Sequence, residues 1–324
     1  MTTLWDTTGT AVVRALAAER RTGGAVTSGN ALTLVVVVDE KDVDVAEEAA
    51  TVAASKHPMR LLMVIRRQID APVPRLDAEV TIGGRLGPGE AIVTRMYGRL
   101  ALHAESVVLP LLAPDAPVVT WWHGPPPDRI SYDPLGVLAD RRITDVSLAI
   151  DRVAALRQRA NDNAPGDTDL AWTRITGWRA ALASALDGAH DATSKATVRG
   201  DDSDPSSLLL AGWLSSRLGF YVPVETTTPE EVHEVEIDLE HGGTVTAHRD
   251  GGRLVLRRSN QPETIAPFGE RSLGELLAEE LRRLDNDTIY ADALGAVCSV
   301  DDLNHRPAKR VHVWRDPALA DTGS

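Results

Sequence analysis

Leu32-Thr33-Leu34-Val35-Val36-Val37-Val38, an alanine- and glutamate-rich stretch from Asp42 to Lys56, and then His57-Pro58 before Arg60-Leu61-Leu62-Met63-Val64-Ile65 decide the fold. The unbroken β-branched run fits a strand covered on both faces. The Ala/Glu stretch reads as a helix. Pro58 ends it, because the residue before a proline is pushed out of the α region. Strand, helix, strand in this order implies a right-handed crossover and a parallel pair.

The same alternation extends outward. Upstream, Val12, Val13, Leu16 and Ala17 give 7–20 a buried helical stripe. Downstream, 77–83 and 91–97 read as strands around the turn-rich loop Gly83 to Gly89. Leu100 to Leu112 has helical spacing, and Pro117 to Trp122 reads as a strand. A last strand over 142–148 and a helix over 151–159 complete an α/β layer domain with a mostly parallel sheet, residues 1–160.

Asn161-Asp162-Asn163-Ala164-Pro165-Gly166-Asp167 is the strongest turn-forming cluster, so 161–168 is taken as a linker. Beyond it the period changes. A helix over 169–186 buries Trp178, and a polar stretch over 188–204 reads as a mobile loop around one short strand. Asp204-Pro205 opens a helix that Gly219 closes. Val235, Ile237 and Leu239 alternate with acidic residues, and two Gly-Gly turns follow, which predicts an antiparallel meander. Ser272-Leu273-Gly274-Glu275 is a capping box. A short helix at 290–297 and a strand at 311–314 finish an α+β domain over 169–315, with 316–324 expected as a disordered tail.

The net charge of -13 disfavours nucleic acid and anionic membranes. The Arg pairs at 66–67, 141–142, 257–258 and 282–283 read as solvated surface features. Cys298 is the single cysteine, so no intrachain disulfide can form, and its apolar neighbours suggest a small buried side chain. The start, Met1 to Asp6, has neither the charge nor the apolar run of a signal peptide, and no apolar stretch approaches a membrane span, so a soluble cytoplasmic protein is expected.

No catalytic constellation emerges. His233 and His241 flank one strand at eight residues' separation, roughly 26 Å, too far to share an ion. The Gly83 loop is followed by Glu90 and a strand, whereas a phosphate cradle needs Lys-Ser/Thr opening a helix. Asp39-Glu40-Lys41-Asp42 after Val38 sets carboxylates where an open parallel sheet would hold a ligand. No metal, no cofactor and no catalytic residue are therefore expected. Tryptophan placement stands out instead: seven occur against two phenylalanines. Trp121-Trp122-His123 ends a strand, and adjacent strand residues face opposite sides, so one indole can be core and its neighbour outward. Trp172 lies among Arg174 and Arg179. Exposed Trp with Arg is the composition of interface hot spots. Core packing and interface fit Trp122 and Trp172 equally.

His57-Pro58-Met59-Arg60, the run Val108 to Trp122, Ala139 to Asp145, Asp169 to Arg179 and Glu279 to Asp285 together resemble the glucose-6-phosphate dehydrogenase assembly protein family, OpcA, in its actinobacterial form. The resemblance runs in order through nearly the whole chain. It implies a non-catalytic partner that promotes assembly and activation of glucose-6-phosphate dehydrogenase, which makes NADPH in the oxidative pentose phosphate pathway. Photosynthetic relatives are linked to thioredoxin control through cysteines, and a chain with only Cys298 departs from that. Trp121, Trp122, His123, Arg141, Arg142, Asp145, Trp172, Arg174 and Arg179 are the candidate partner-interface residues. The alternative is an enzyme or sensor that takes a small sugar phosphate or nucleotide in the N-terminal domain, by fold analogy.

Overall fold

The computed structural model describes residues 1–22, 30–83, 89–187, 192–228, 231–259 and 261–307. The Gly83–Gly89 loop (all but its ends), the strand expected at 311–314 and the tail expected at 316–324 lie outside the described residues. The first half runs β1 (Thr2–Leu4), α1 (Gly9–Thr22), β2 (Leu32–Val38), α2 (Val43–Lys56), β3 (Met59–Arg67), β4 (Arg75–Ile82), β5 (Glu90–Tyr97), α3 (Arg99–Leu102), α4 (Glu105–Val108), β6 (Val118–His123), α5 (Pro134–Val137), β7 (Arg141–Thr144) and α6 (Arg152–Asp162). The second half adds β8 (Asp167–Asp169), α7 (Leu170–Arg174), α8 (Thr176–Asp187), β9 (Thr193–Gly200), α9 (Pro205–Leu218), β10 (Val224–Thr226), β11 (Glu234–Leu239), β12 (Thr244–Asp250), β13 (Arg253–Arg258), β14 (Thr264–Pro267), α10 (Leu273–Glu280) and α11 (Thr288–Cys298).

Eight strands form the first sheet in the order β1-β4-β5-β3-β2-β6-β7-β8. From β5 to β8 every neighbouring pair is parallel, and β4 lies antiparallel between β1 and β5. The chain leaves β2 toward β3 on one side and later reaches β6 on the other. Between β2 and β6 it thus has a switch point. The second sheet, β10-β9-β11-β12-β13-β14, is antiparallel except for β10 beside β9. The expected fold, mostly parallel α/β followed by α+β with a meander, is the one observed.

Differences are local. The single helix expected over 100–112 is broken into α3, α4 and a 3-10 turn at Leu109–Leu111 containing Pro110. The strand expected over 142–148 stops at Thr144, because the Asp145 side chain accepts from Ser147 N and starts a 3-10 turn. The helix expected from 169 to 186 is interrupted at Ile175. The strand within the polar stretch 188–204 is eight residues long and lies between β10 and β11.

Both faces of the first sheet are covered. On one face lie the α2 alanines, Ala46, Ala49, Ala50 and Ala53, with Trp121 and Ile143. On the other lie Val12, Leu16, Leu111 and Trp122. The halves exchange elements. Helix α10, from the far end of the chain, places Leu276, Leu277 and Leu281 in the core on the α2 face. The small residues allow a close approach: a Cβ on Gly274 would sit 2.5 Å from Val52 Cβ. Helix α6 reciprocates by placing Leu156 and Ala160 in the core of the second half. Strand β8 adds to the first sheet although it follows the turn-rich cluster.

The 161–168 segment is held throughout. Asn163, Ala164 and Asp167 are buried. Gly166 N donates to Asn286 Oδ1 at 3.3 Å, and Arg306 Nη1 donates to the carbonyls of Asn161 and Asn163 at 3.0 Å. Gly166 has φ +92, and a Cβ there would lie 2.4 Å from the Asp140 carbonyl oxygen. Gly166→Ala should therefore cost about 1–3 kcal/mol in urea unfolding. A change near zero would mean that this segment is a free tether.

Candidate functional site

The tryptophan and arginine positions singled out in the sequence fall at the carboxyl end of β6, at the start of β7 and on α7 and α8. Trp121 and Trp122 do point to opposite faces, but both faces are core, so both indoles are buried. The expectation of one outward indole is corrected by the helices and turns that cover each side of β6. Among the described residues neither indole Nε1 has an acceptor. His123 packs on Trp121 with ring centroids 5.0 Å apart, and its buried Nδ1 has no partner among the described residues. Burial lowers the imidazole's pKa, which leaves it neutral at pH 7.

Arg141 and Arg142, read as solvated from the sequence, are each only 3% exposed. Strand β7 is interior, so alternate side chains meet protein on either face. Arg141 pairs with the buried carboxylate of Glu280 on α10 and donates to the Asp285 carbonyl at 2.8 Å. Glu280 also accepts from the Thr173 hydroxyl at 2.6 Å. Arg142 pairs with Asp167 and donates to the carbonyls of Ala139 at 3.0 Å and Pro165 at 2.5 Å. Arg174 clasps Asp145 through two bonds, 2.8 and 2.6 Å. Trp172 Nε1 donates to Asp287 Oδ2 at 2.9 Å, and the Arg179 guanidinium lies 3.5 Å over the indole. Burial pulls Arg179 down to about 10, still charged at neutral pH.

Seven of the nine sequence-predicted residues are thus buried, and only Arg174 and Arg179 remain half-exposed. What they touch is this chain: β7, β8, α7, α10 and the turn at 285–287. Their partners Asp167, Asp169, Glu280 and Asp287 were not picked out from the sequence. The signal available was the number of buried-strand arginines, each of which requires a buried acceptor. Among the described residues no group of three His, Cys, Asp or Glu side chains could hold a metal ion. No helix among them is long and apolar enough to cross a membrane. Cys298 is half-buried, and burial pushes its thiol up to about 11, which makes it a poor nucleophile.

These features define a two-sheet protein in which Trp121, Arg141 and Arg174 meet the other half of the chain, while Trp122 packs within the first. Residues 50–161 match the family model described as the glucose-6-phosphate dehydrogenase subunit N-terminal domain, and residues 165–294 match that described as its C-terminal domain. The chain belongs to the OpcA family of glucose-6-phosphate dehydrogenase assembly proteins. No curated protein matches it. Among solved structures it is similar to an oxidoreductase from Sinorhizobium meliloti at 10% identity and TM-score 0.41, over 83% of this chain and 86% of that one. It is also similar to a dehydrogenase (MviM) from Clostridium difficile at 7% identity and TM-score 0.35, over 85% of this chain and 98% of that one. Superpositions at that level assign no chemistry.

The seam contains two carboxyls that burial holds in reserve. Asp167 is pushed up to about 6 by burial, against the pull of Arg142. Asp169 is raised by burial and then by the charge of Asp145, since its own donors are neutral: the Thr144 hydroxyl at 2.5 Å and the amides of Ala171 and Val146. A folded-state pKa above the unfolded value means that the folded protein binds more protons between about pH 4 and about pH 6. Their contribution to stability therefore falls as pH rises through that window and is fully lost above it. Urea unfolding across about pH 4 to 7 should show Asp169→Asn losing part of this decline. An identical pH dependence in variant and wild type would place the titration elsewhere.

Proposed function

We propose that this protein is a non-catalytic cytoplasmic partner of glucose-6-phosphate dehydrogenase, promoting its assembly and activation and so NADPH production in the oxidative pentose phosphate pathway. The observation that carries this reading is the match of both subunit domain models, in order, to 50–161 and 165–294. The two matched units meet at the 161–168 segment, which we take as the boundary between domains locked together.

Within this reading the nine tryptophan, histidine, arginine and aspartate positions serve the partner interface as positioning residues. Those that bridge the halves, such as Trp121, Arg141 and the Asp145–Arg174 pair, fix how the two domains stand to each other, and the partner reads that arrangement. An activator must bind the active state of its partner more tightly than the inactive one, and a rigid two-domain template can discriminate between them at low ordering cost.

The alternative, a sugar-phosphate or nucleotide site in the first domain, draws on the switch point between β2 and β6, where open α/β sheets hold ligands. Asp39, Glu40 and Asp42 stand there, and no glycine occurs between Val38 and Val43. A phosphate would meet carboxylates rather than a backbone cradle.

Mixing the purified protein with the dehydrogenase of the same cell should give co-elution and higher dehydrogenase activity. Trp122→Ala should lower stability by about 3–5 kcal/mol, and Arg141→Ala by about 3–5 kcal/mol because Glu280 is left buried and unpaired. Partner affinity should fall only as the fold is lost. An affinity loss of about 2 kcal/mol or more at unchanged melting temperature would mean direct contact and overturn the positioning role.

A further inference from the structure

We propose that the dehydrogenase docks a chain segment into the cleft between the β7–α6 loop and the floor made by α8, α10 and the β14–α10 turn. The segment carries an apolar side chain followed by a carboxylate. This rests on the reading of the partner given above and locates the contact surface beside the buried seam, whose Arg174 also lines the cleft.

The cleft has a volume of about 860 Å³. Its floor is apolar: Ile175, Trp178, Phe268 and Leu276 line it. Trp178 meets Phe268 edge-on with centroids 5.5 Å apart. Gly177 makes that meeting possible, since a Cβ there would lie 2.7 Å from the Phe268 ring.

The loop at the mouth holds two large aliphatics in water. Leu148 is 54% exposed and Ile150 fully so. Both ends of the loop are pinned: Val146 N donates to Asp169, and Asp151 accepts from Ala154 N as the α6 cap. The exposure is therefore imposed by the backbone. A rigid apolar prong beside an apolar cleft is the composition of a protein-binding surface.

Asp204, Glu231 and Glu270 line the cleft as well as its arginines, and the occupant is selected by the arginine that no carboxylate pairs with. Arg152 lines the cleft and occupies the first turn of α6, where a cation opposes the helix dipole. Among the described residues it makes no hydrogen bond or ion pair, and its charge is felt by Asp201. That carboxylate is itself held by Ser203, through its amide at 2.9 Å and its hydroxyl at 2.7 Å. Arg249, also lining the cleft, lies 5.8 Å over the Phe268 ring, and its ion-pair partners among the described residues are Glu231 and Glu270, whose side chains are 74% and 87% exposed. Such pairs are weak and exchange readily for an incoming carboxylate. An apolar side chain on the Trp178–Phe268 floor with a carboxylate beside Arg152 satisfies both features. The loop belongs to the first domain and the floor to the second, so one bound segment touches both.

The test uses the full-length protein with Ile150→Ser, Arg152→Glu and, as an exposed apolar control outside the cleft, Tyr221→Ser. Melting temperatures should match the wild type. Affinity for the purified dehydrogenase should fall at least about tenfold for Ile150→Ser and Arg152→Glu and stay unchanged for Tyr221→Ser. Wild-type affinity in both cleft variants overturns the docking site and leaves the partner reading intact. Equal losses in all three variants also overturn the site. Absence of any binding by the wild type overturns the partner reading and the site with it. Concentration-dependent self-association of the protein alone, abolished by Ile150→Ser, would assign the cleft to a second copy of this chain instead.

Discussion

Arg141 reaches from the interior strand β7 to Glu280 on α10, a helix that follows the second sheet, and neither charge has water to fall back on. Desolvating two ions costs several kcal/mol each, and the attraction recovers that only when the remaining donors and acceptors are filled. Here Asp285 accepts from Arg141 and Thr173 donates to Glu280, while Arg141 Nε stays buried without an acceptor among the described residues. The pair adds little net stability compared with an apolar substitute. It does forbid intermediate arrangements. Sliding α10 on α2 or tilting the second sheet would strand a guanidinium or a carboxylate in the core. The alanine-lined face of α2 gives α10 a close seat without fixing its register, and the ion pair fixes it.

The exchange of elements follows from that seat. Leu276 and Leu277 fill one face of the first sheet, and Leu156 from α6 fills the core of the second half. Each half lacks part of its core without the other. The two matched domains are thus folding partners, and separating them would expose both sets of apolar residues together with the Arg142–Asp167 and Arg141–Glu280 charges.

Much of the architecture was legible because period and punctuation carry it. The Leu32–Val38 run, Pro58, the Asp204-Pro205 start and the Ser272–Glu275 capping box each report a local physical requirement, and each lies where the sequence places it. The short edge strands β10 and β14 were not legible: they have three and four residues and depend on neighbours already formed. The role of the tryptophan and arginine segments was half legible. Their composition marks a contact surface, and a contact surface they are, but composition does not say whether the other side belongs to the same chain. The deciding fact was that β7 is interior, which requires the strand order. A sequence shows that β7 is a strand, whereas its neighbours β6 and β8 come from pairing across the linker.

A seam of this kind also bears on what a partner can exploit. If the tryptophans and arginines are used internally, recognition falls to groups the fold leaves unsatisfied. Around the seam these are few. Arg152 has no ion-pair partner among the described residues, and Leu148 and Ile150 are held in solvent by a loop anchored through Asp169, itself part of the buried network. The seam and the cleft mouth are therefore linked by covalent and hydrogen-bonded continuity: Asp145 holds Arg174 and starts the turn that presents Leu148. A segment bound there would meet a surface whose shape depends on the seam being closed. Such a surface is suited to stabilising one arrangement of a partner over another, because its own rigidity lets differential contacts act on the partner's equilibrium rather than on the template.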